Sequence, residues 1–417
     1  MSHIVVAGPI AGDDVRAYLA PSSAALPPGY GGAPLTGVLI GELLAMGHRV
    51  TAITTDSSLA IDAEPARRDG AGFQFVVCPA RLRAWRFNGR HPGRALDFFA
   101  LERRGIEQEI RRAAPDLVHV HWSYEFALAA LNTPFPHLIT CHDSPAAVLK
   151  FTRSPYRALR YLMAMRVFRA GVHFTTVSKY MQTQLSTVLR KPVAIVPNPV
   201  SSQVLSLGRA RERPRTRKVA MVCNGWHRLK NPEPGLHAFA AWRQGEPGAE
   251  LHLFGVDFGW GERAQRWTQA RGLDAGVHFH GRMPHVELVE TLASMDVLMH
   301  CSLEESFGVV IAEALALGLP VVAGMVSGAV PWVVAADAAG ASACAVLVDV
   351  RRPEALEAGL RTAFDDGYAR RSAAGVERAR SSFAPRRVAE AYVDHYQALL
   401  REGANLSVET VMGSSHA

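Results

Sequence analysis

Three acids stand close together in EESFGVVIAEALALGLPVVAG, residues 304–324, a run otherwise almost wholly apolar: Glu304, Glu305 and Glu313. Burying an ionised carboxylate is costly unless a partner meets it. The run therefore implies a ligand or a cation facing those oxygens. Carboxylates accept hydrogen bonds strongly from sugar hydroxyls. The order DVLMHC, SLEES, FGVVIAEALALG and LPVVAG reads as strand, loop, helix and strand. In such a βαβ unit the loop and the helix N-terminus lie at the carboxyl edge of the sheet, where ligands bind. Free N–H groups and the helix dipole there favour a phosphate. Ser306 is expected to cap the helix, and Gly308 to let a diphosphate approach the backbone. Glu305 then projects from the loop, and Glu313, about two turns further on, faces back towards the same ligand. A diphosphate between two polyols satisfies these features together. That ligand is a nucleotide-sugar.

The elements that must position such a site are legible as an alternation of short β-branched runs and helical patterns, the signature of an α/β protein with parallel sheets. Strands are expected at 3–8, 49–55, 73–79, 117–121, 137–142, 174–178 and 193–198, with a helix over 35–47. After the charged stretch SLGRARERPRTRK (206–218), read as a solvated linker, strands recur at 218–225, 250–255, 277–281, 296–301, 319–324 and 345–350. Two consecutive doubly wound, Rossmann-like domains are the simplest account, over residues 1–205 and 206–383. The polar tail 404–417 is expected to be disordered.

Composition narrows the function classes. The 417 residues carry 48% hydrophobic and 20% charged side chains, an ordinary globular balance, and a net charge of +7 that suits acidic ligands. The arginines are scattered rather than gathered in one basic tail, which argues against a nucleic-acid partner. Cys78, Cys141, Cys223, Cys301 and Cys344 form no C-x-x-C pair and no zinc spacing, and read as buried thiols of a reducing compartment. With no basic leader at the N-terminus and no run of eighteen apolar residues, a cytoplasmic location is expected.

E-S-F-G-V-V-I-A-E followed by A-L-A-L-G-L-P-V-V-A resembles the E-x(7)-E signature of retaining glycosyltransferases with the GT-B fold, most closely family four of that classification. The resemblance runs over most of the chain. It implies two Rossmann-like domains facing a central cleft, with a last helix (384–403) that crosses back to the first domain. NGWHRLKNPE (224–233) resembles the family's phosphate clamp, with Gly225 in the turn and Arg228 and Lys230 holding the donor diphosphate. Trp226 stands where many members have the Arg. PPGYGGAP (27–34) resembles the glycine-rich loop near the donor phosphates, through Gly31 and Gly32. DLVHVHW (116–122) matches the D-x-x-H-x-H strand end, where His119 and His121 share one face. The resemblance assigns His121 to the donor sugar. TCHDSP (140–145), with His142, and TVSKY (176–180) resemble segments lining the acceptor side. In VPNPV (196–200), Pro199 replaces the usual Gly.

What the resemblance implies is transfer of a hexose-type sugar from a nucleoside-diphosphate sugar, UDP ahead of GDP, to a glycan, lipid-linked or small-molecule acceptor. Glu305, His121, Lys230 and Arg228 carry the catalysis in this reading. Gly31, Gly32, His119, His142, Gly225, Ser306, Phe307, Gly308 and Glu313 bind substrate. No metal and no further cofactor are expected, because no D-x-D stands in a suitable loop. The Ala- and Arg-rich composition points to a bacterial chain, with a surface polysaccharide or a secondary metabolite as product. The basic, amphipathic stretch 150–169 admits a peripheral contact with the inner face of the membrane. Two alternatives share the architecture: a nucleotide-sugar epimerase and a non-catalytic nucleotide-sugar-binding protein. An NAD-dependent protein is disfavoured, since HIVVAGPIAG lacks G-x-G-x-x-G.

Overall fold

The structure, a computed structural model, describes residues 1–22, 25–31, 34–171 and 173–413, with residues 403–413 by backbone alone. It divides into two compact units. Unit 1 takes in Met1–Val177, Met181–Pro199 and Pro385–Ala417, and unit 2 takes in Ser178–Tyr180 and Val200–Ala384.

Unit 1 is built on β1 (His3–Ala7), β2 (Arg49–Asp56), β3 (Ala66–Gly70), β4 (Phe73–Pro79), β5 (Leu117–His121), β6 (His137–Cys141), β7 (Phe174–Thr176) and β8 (Ala194–Ile195). They lie in the order β3-β4-β2-β1-β5-β6-β7-β8. Every pairing is parallel except β3 with β4. The central strands are buried on both faces, as continuous apolar runs such as IVVA require. The edge strand β3, ARRDG, escapes a reading based on apolar runs because it is charged and half exposed. The helix beginning at Pro385 inserts Val388, Ala389, Tyr392 and Tyr396 into the same core as Ile4, Val6 and Leu39.

Unit 2 contains β9 (Lys218–Val222), β10 (Glu250–Phe254), β11 (Val277–Gly281), β12 (Val297–His300), β13 (Val321–Gly324) and β14 (Ala345–Val348). The order is β11-β10-β9-β12-β13-β14, all parallel. This is the doubly wound arrangement of a dinucleotide-binding sheet, in which the winding reverses between the first and fourth strands. Its core gathers Trp242, Phe239, Leu251, Leu253 and Met299.

Three expectations from the sequence need correction. Residues 206–218 are exposed for the most part, as expected, but they are not a free linker: they belong to unit 2. The Asp296 carboxylate accepts from the backbone N–H groups of Arg215, Thr216 and Lys218, at 2.8, 3.1 and 3.1 Å. The Arg211 guanidinium donates to the carbonyls of Met295, Ala293 and Leu317. The segment is held to unit 2 by its backbone and by Arg211, while Arg209, Glu212, Arg213 and Arg215 stay exposed. The stretch 150–169 is not one amphipathic helix. Arg153, at φ 44, and the following Pro155 divide it into Pro145–Thr152 and Pro155–Ala170. The second helix buries Leu159, Met163, Val167 and even Arg160, whose guanidinium pairs with Glu125. Finally, the last helix runs on to Gly413, past residue 404. A helix already nucleated gains a hydrogen bond for each residue added. Among the described residues no helix is long and apolar enough to cross a membrane, and all five cysteines are buried and free.

Candidate functional site

Because β9 and β12 are neighbours across the reversal of winding in unit 2, the loops leaving their carboxyl ends flank a crevice. The loop after β9 carries Gly225, Arg228 and Lys230, and the loop after β12 carries Glu304 and Glu305. The two loops are tied together. Leu303 N–H donates to the Leu229 carbonyl at 2.8 Å. The Asn231 side chain donates to the carbonyls of Cys301, at 3.1 Å, and Val350, at 2.9 Å.

This bracing brings Lys230 and Glu305 face to face, Nζ to Oε1 at 2.6 Å, with side chains only 22% and 15% exposed. His300, the last residue of β12, reaches the same oxygen from Nε2 at 3.2 Å. Burial alone would push the Glu305 carboxyl up. The Lys230 ammonium and His300 override it and hold the acid well below the usual carboxylate range. For Lys230 burial pulls down, and the adjacent Glu305 more than offsets it, so the amine is held above its ordinary value. Both groups are therefore charged at neutral pH.

The other two acids have separate partners. Glu304 accepts from the Tyr180 hydroxyl at 2.6 Å. Glu313, 5% exposed on the helix Val309–Ala316, meets His285 Nε2 at 2.6 Å. The question raised by an acid among Ile, Ala and Leu thus has a local answer: each carboxylate meets its own donor, and the most deeply buried, Glu313, meets His285. His300, His285 and Tyr180 were not found from the sequence. His300 had a signal, since DVLMHC places an imidazole at the end of the strand that leads into the loop.

The helix after Glu305 begins at Val309, with Gly308 as its N-cap at φ 91. A left-handed cap of this kind favours glycine. Ser306 therefore does not cap the helix. Its carbonyl instead accepts from the Ser178 hydroxyl at 2.6 Å. Phe307 is buried, edge-on to Trp332 and Phe383, a packing anchor for the loop. In the loop after β9, Gly225 N–H donates to the Val256 carbonyl. Trp226 is a core residue stacked on Phe258 at 5.7 Å. Arg228 is exposed and lines a cavity of about 480 Å³ with Trp226, His237, Arg263 and Arg351. The fold thus joins Lys230 to Glu305, while Arg228 faces a different, basic hollow.

Unit 1 has its own polar cluster at the corresponding place. His119 and His121 lie on β5, beside β1, with ring centroids 4.3 Å apart. His119 is fully buried, with Nε2 2.8 Å from Thr140 Oγ1 and Nδ1 2.7 Å from the Tyr396 hydroxyl. Both its nitrogens are used inside the core, so the substrate-binding role expected for His119 has no free atom to act through. His121 Nδ1 meets His142 Nε2 at 2.8 Å, and its own Nε2 is buried without a partner. Burial, reinforced by neighbouring imidazoles, pulls His119 down to about 3. The same causes hold His121 well below its ordinary value. Burial brings His142 to about 4 against the opposing pull of the neighbouring Asn198 side chain. All three imidazoles are neutral at pH 7.

In the glycine-rich loop, Gly31 is exposed and a Cβ there would meet nothing within 4 Å. Gly32 lies outside the described residues. The glycine the backbone needs is Gly29, at φ +71, where a Cβ would come 2.5 Å from the Ile10 carbonyl oxygen. Its N–H donates to the Asp56 carboxylate at 2.8 Å.

With this geometry in hand, residues 209–381 match the family model described as glycosyl transferases group 1, and residues 31–204 match that of glycosyltransferase family 4. A D-inositol 3-phosphate glycosyltransferase of Segniliparus rotundus is 32% identical over 190 residues, 44% of this chain and 41% of that protein. The chain thus matches less than half the length of this relative. Sucrose-phosphate synthase from Thermosynechococcus elongatus superposes with a TM-score of 0.71 at 19% identity, covering 96% of this chain and 100% of that one. The Anabaena protein HepE, solved in complex with UDP and glucose, gives 0.61 at 16% identity, over 95% and 100% of the two chains. At these identities the structural likenesses carry the fold.

Proposed function

The chain belongs to the group 1 glycosyltransferases of GT-B fold, and from that premise we propose that it transfers a hexose-type sugar, with retention of configuration, from a nucleoside-diphosphate sugar to a glycan, lipid-linked or small-molecule acceptor. The observation that carries this reading is the 2.6 Å contact between Lys230 and Glu305 at the reversal of winding in unit 2. Without donor, each charge compensates the other. An arriving diphosphate offers Lys230 a stronger, doubly charged partner, and Glu305 is released to accept hydrogen bonds from the sugar hydroxyls. Its negative charge remains held by His300.

In the transfer, the bond from the anomeric carbon to the diphosphate breaks and the acceptor oxygen bonds to that carbon on the same face. The acceptor proton passes to the leaving phosphate oxygen. The protein's part is to position the reactants and to stabilise charge on the departing nucleotide, chiefly through Lys230. Glu313, oriented by His285, is the proposed ribose acceptor. His121 is the proposed hydrogen-bonding partner of the transferred sugar, a neutral imidazole with Nε2 still to be satisfied. UDP is preferred to GDP as carrier, in line with HepE, and no metal takes part.

The test is to incubate the full chain, in excess EDTA, with a panel of UDP- and GDP-sugars and to follow nucleotide release and product anomeric configuration. Slow release of UDP from one donor, accelerated by acceptor and giving a retained anomer, is the expected result. An inverted product, no release from any donor, or activity restored by Mg²⁺ or Mn²⁺ after EDTA overturns it.

A further inference from the structure

Away from these loops, one side-chain cluster on the edge of the unit 2 sheet has a composition that the transfer does not use. His252 on β10 and His278 on β11 are register partners across the parallel pair. Their rings stack at 15° with centroids 4.6 Å apart. Both direct Nε2 at one carboxylate oxygen, Glu250 Oε2, at 3.0 Å from His252 and 3.8 Å from His278. The three donor atoms lie within 4.8 Å of one another, the one such group of His, Cys, Asp or Glu found among the described residues.

We propose that Glu250, His252 and His278 form a binding site for a divalent transition-metal ion of the zinc class, which ties the edge strand β11 to β10. Two imidazoles and one carboxylate suit borderline ions such as Zn²⁺ and Co²⁺, and not Mg²⁺ or Ca²⁺, which prefer oxygen. A tetrahedral zinc with bonds of about 2.1 Å separates its ligand atoms by about 3.4 Å. The observed spacings of 3.0 and 3.8 Å bracket that value. Small side-chain rotations suffice, because His278 and Glu250 are 49% and 37% exposed.

The surroundings supply what a ligating imidazole needs behind it. His252 Nδ1 lies 2.9 Å from His280 Nε2. Without an ion, His280 donates to His252 Nδ1, and His252 donates from Nε2 to Glu250. With an ion, the relay reverses: His252 donates from Nδ1 to His280 and leaves the Nε2 lone pair for the metal. Such outer partners fix ring orientation at metal sites. Lys218 Nζ, 3.4 Å from Glu250 Oε2, is the competing cation. Its long, partly exposed side chain can withdraw into solvent. The ion's role is structural. It links two strands at an edge that otherwise relies on the ladder and on core packing.

The experiment uses the full chain, stripped with EDTA and desalted, titrated with Zn²⁺ and separately with Co²⁺. One saturable site per chain is expected, with a Tm raised by several degrees at saturating zinc and a cobalt spectrum of nitrogen and oxygen ligands. His278→Ala and Glu250→Gln should each weaken zinc binding tenfold or more, while His91→Ala leaves it unchanged. His278 is half exposed, so its variant tests binding without emptying the core. EDTA should lower Tm and leave sugar transfer intact, which separates this site from the catalytic reading. No saturable zinc binding, equal binding by His278→Ala, or a thiolate band in the cobalt spectrum overturns the proposal.

Discussion

The two units place polar clusters at corresponding points of similar sheets, beside the strands where the winding reverses, yet they solve burial in opposite ways. In unit 2 an acid is buried with a base: Lys230 and Glu305 stay ionised because each compensates the other, and His300 is hydrogen-bonded to the same acid. In unit 1 bases are buried together without an acid among their hydrogen-bond partners. His119, His121 and His142 answer by giving up their protons. A desolvated charge persists only beside its opposite, and otherwise the pKa moves until the charge is gone. The same architecture therefore holds one charged centre and one neutral centre, which the proposed function assigns to the donor diphosphate and to the sugar hydroxyls.

The largest effect expected from breaking this contrast falls on the charged centre. Lys230→Ala should lower the turnover number roughly a hundredfold or more, comparable to the loss of one oxyanion donor. Single-turnover kinetics on the preferred donor check this, and an unchanged rate removes Lys230 from the site. On the neutral side, His121→Ala deletes one hydrogen bond and should cost about tenfold in kcat/KM. Nucleotide affinity should stay intact. Glu313→Ala should weaken binding of free UDP about tenfold, as for one hydrogen bond to a charged group, whereas Glu305→Ala should scarcely change it. Equal loss in calorimetry of both variants refutes the division of labour.

The smallest effect is on acid stability, and its sign differs in window rather than direction. The three histidines have folded values below the unfolded value of about 6.5. Unfolding therefore takes up protons below that pH, and stability that is complete above 6.5 is lost as pH falls towards the folded values, about 4 for His142. Each such histidine contributes up to about 1.4 kcal/mol per pH unit. The depressed Glu305 carboxyl contributes stability above its unfolded value of about 4.3, lost only below it. His142→Gln should thus flatten the loss of stability between pH 6.5 and 4.5 in urea unfolding. Glu305→Gln should not alter that interval.

What the sequence made legible follows the same physics. Apolar runs such as HIVVA, LVHVH and VVAG announce parallel strands because both faces are buried, and the helix over 35–47 closely matches Leu35–Ala45. The charged strand β3 was hidden for the converse reason. Residues 206–218 misled because composition cannot show that backbone N–H groups there bind Asp296, or that one arginine, Arg211, binds a row of carbonyls. At the site, the acids stood out by type and spacing, and Lys230 was pointed to by the resemblance of NGWHRLKNPE. Their partners His285 and Tyr180 were not, since those pairings join elements remote in sequence, and His300, though only five residues from Glu305, was overlooked. Only Leu229 separates Arg228 from Lys230, yet the turn sends one to a cavity and the other to Glu305. No periodicity encodes that divergence.

The central claim is that Lys230 exchanges Glu305 for the donor diphosphate. Its most direct test is UDP binding by titration calorimetry to the unaltered chain, Lys230→Ala and Glu305→Gln, at two salt concentrations. Lys230→Ala should lose at least tenfold in affinity together with part of the salt dependence. Glu305→Gln, with Lys230 released from its partner, should bind UDP as well as the unaltered chain or better. UDP affinity unchanged in Lys230→Ala, or lost in Glu305→Gln, would contradict the exchange.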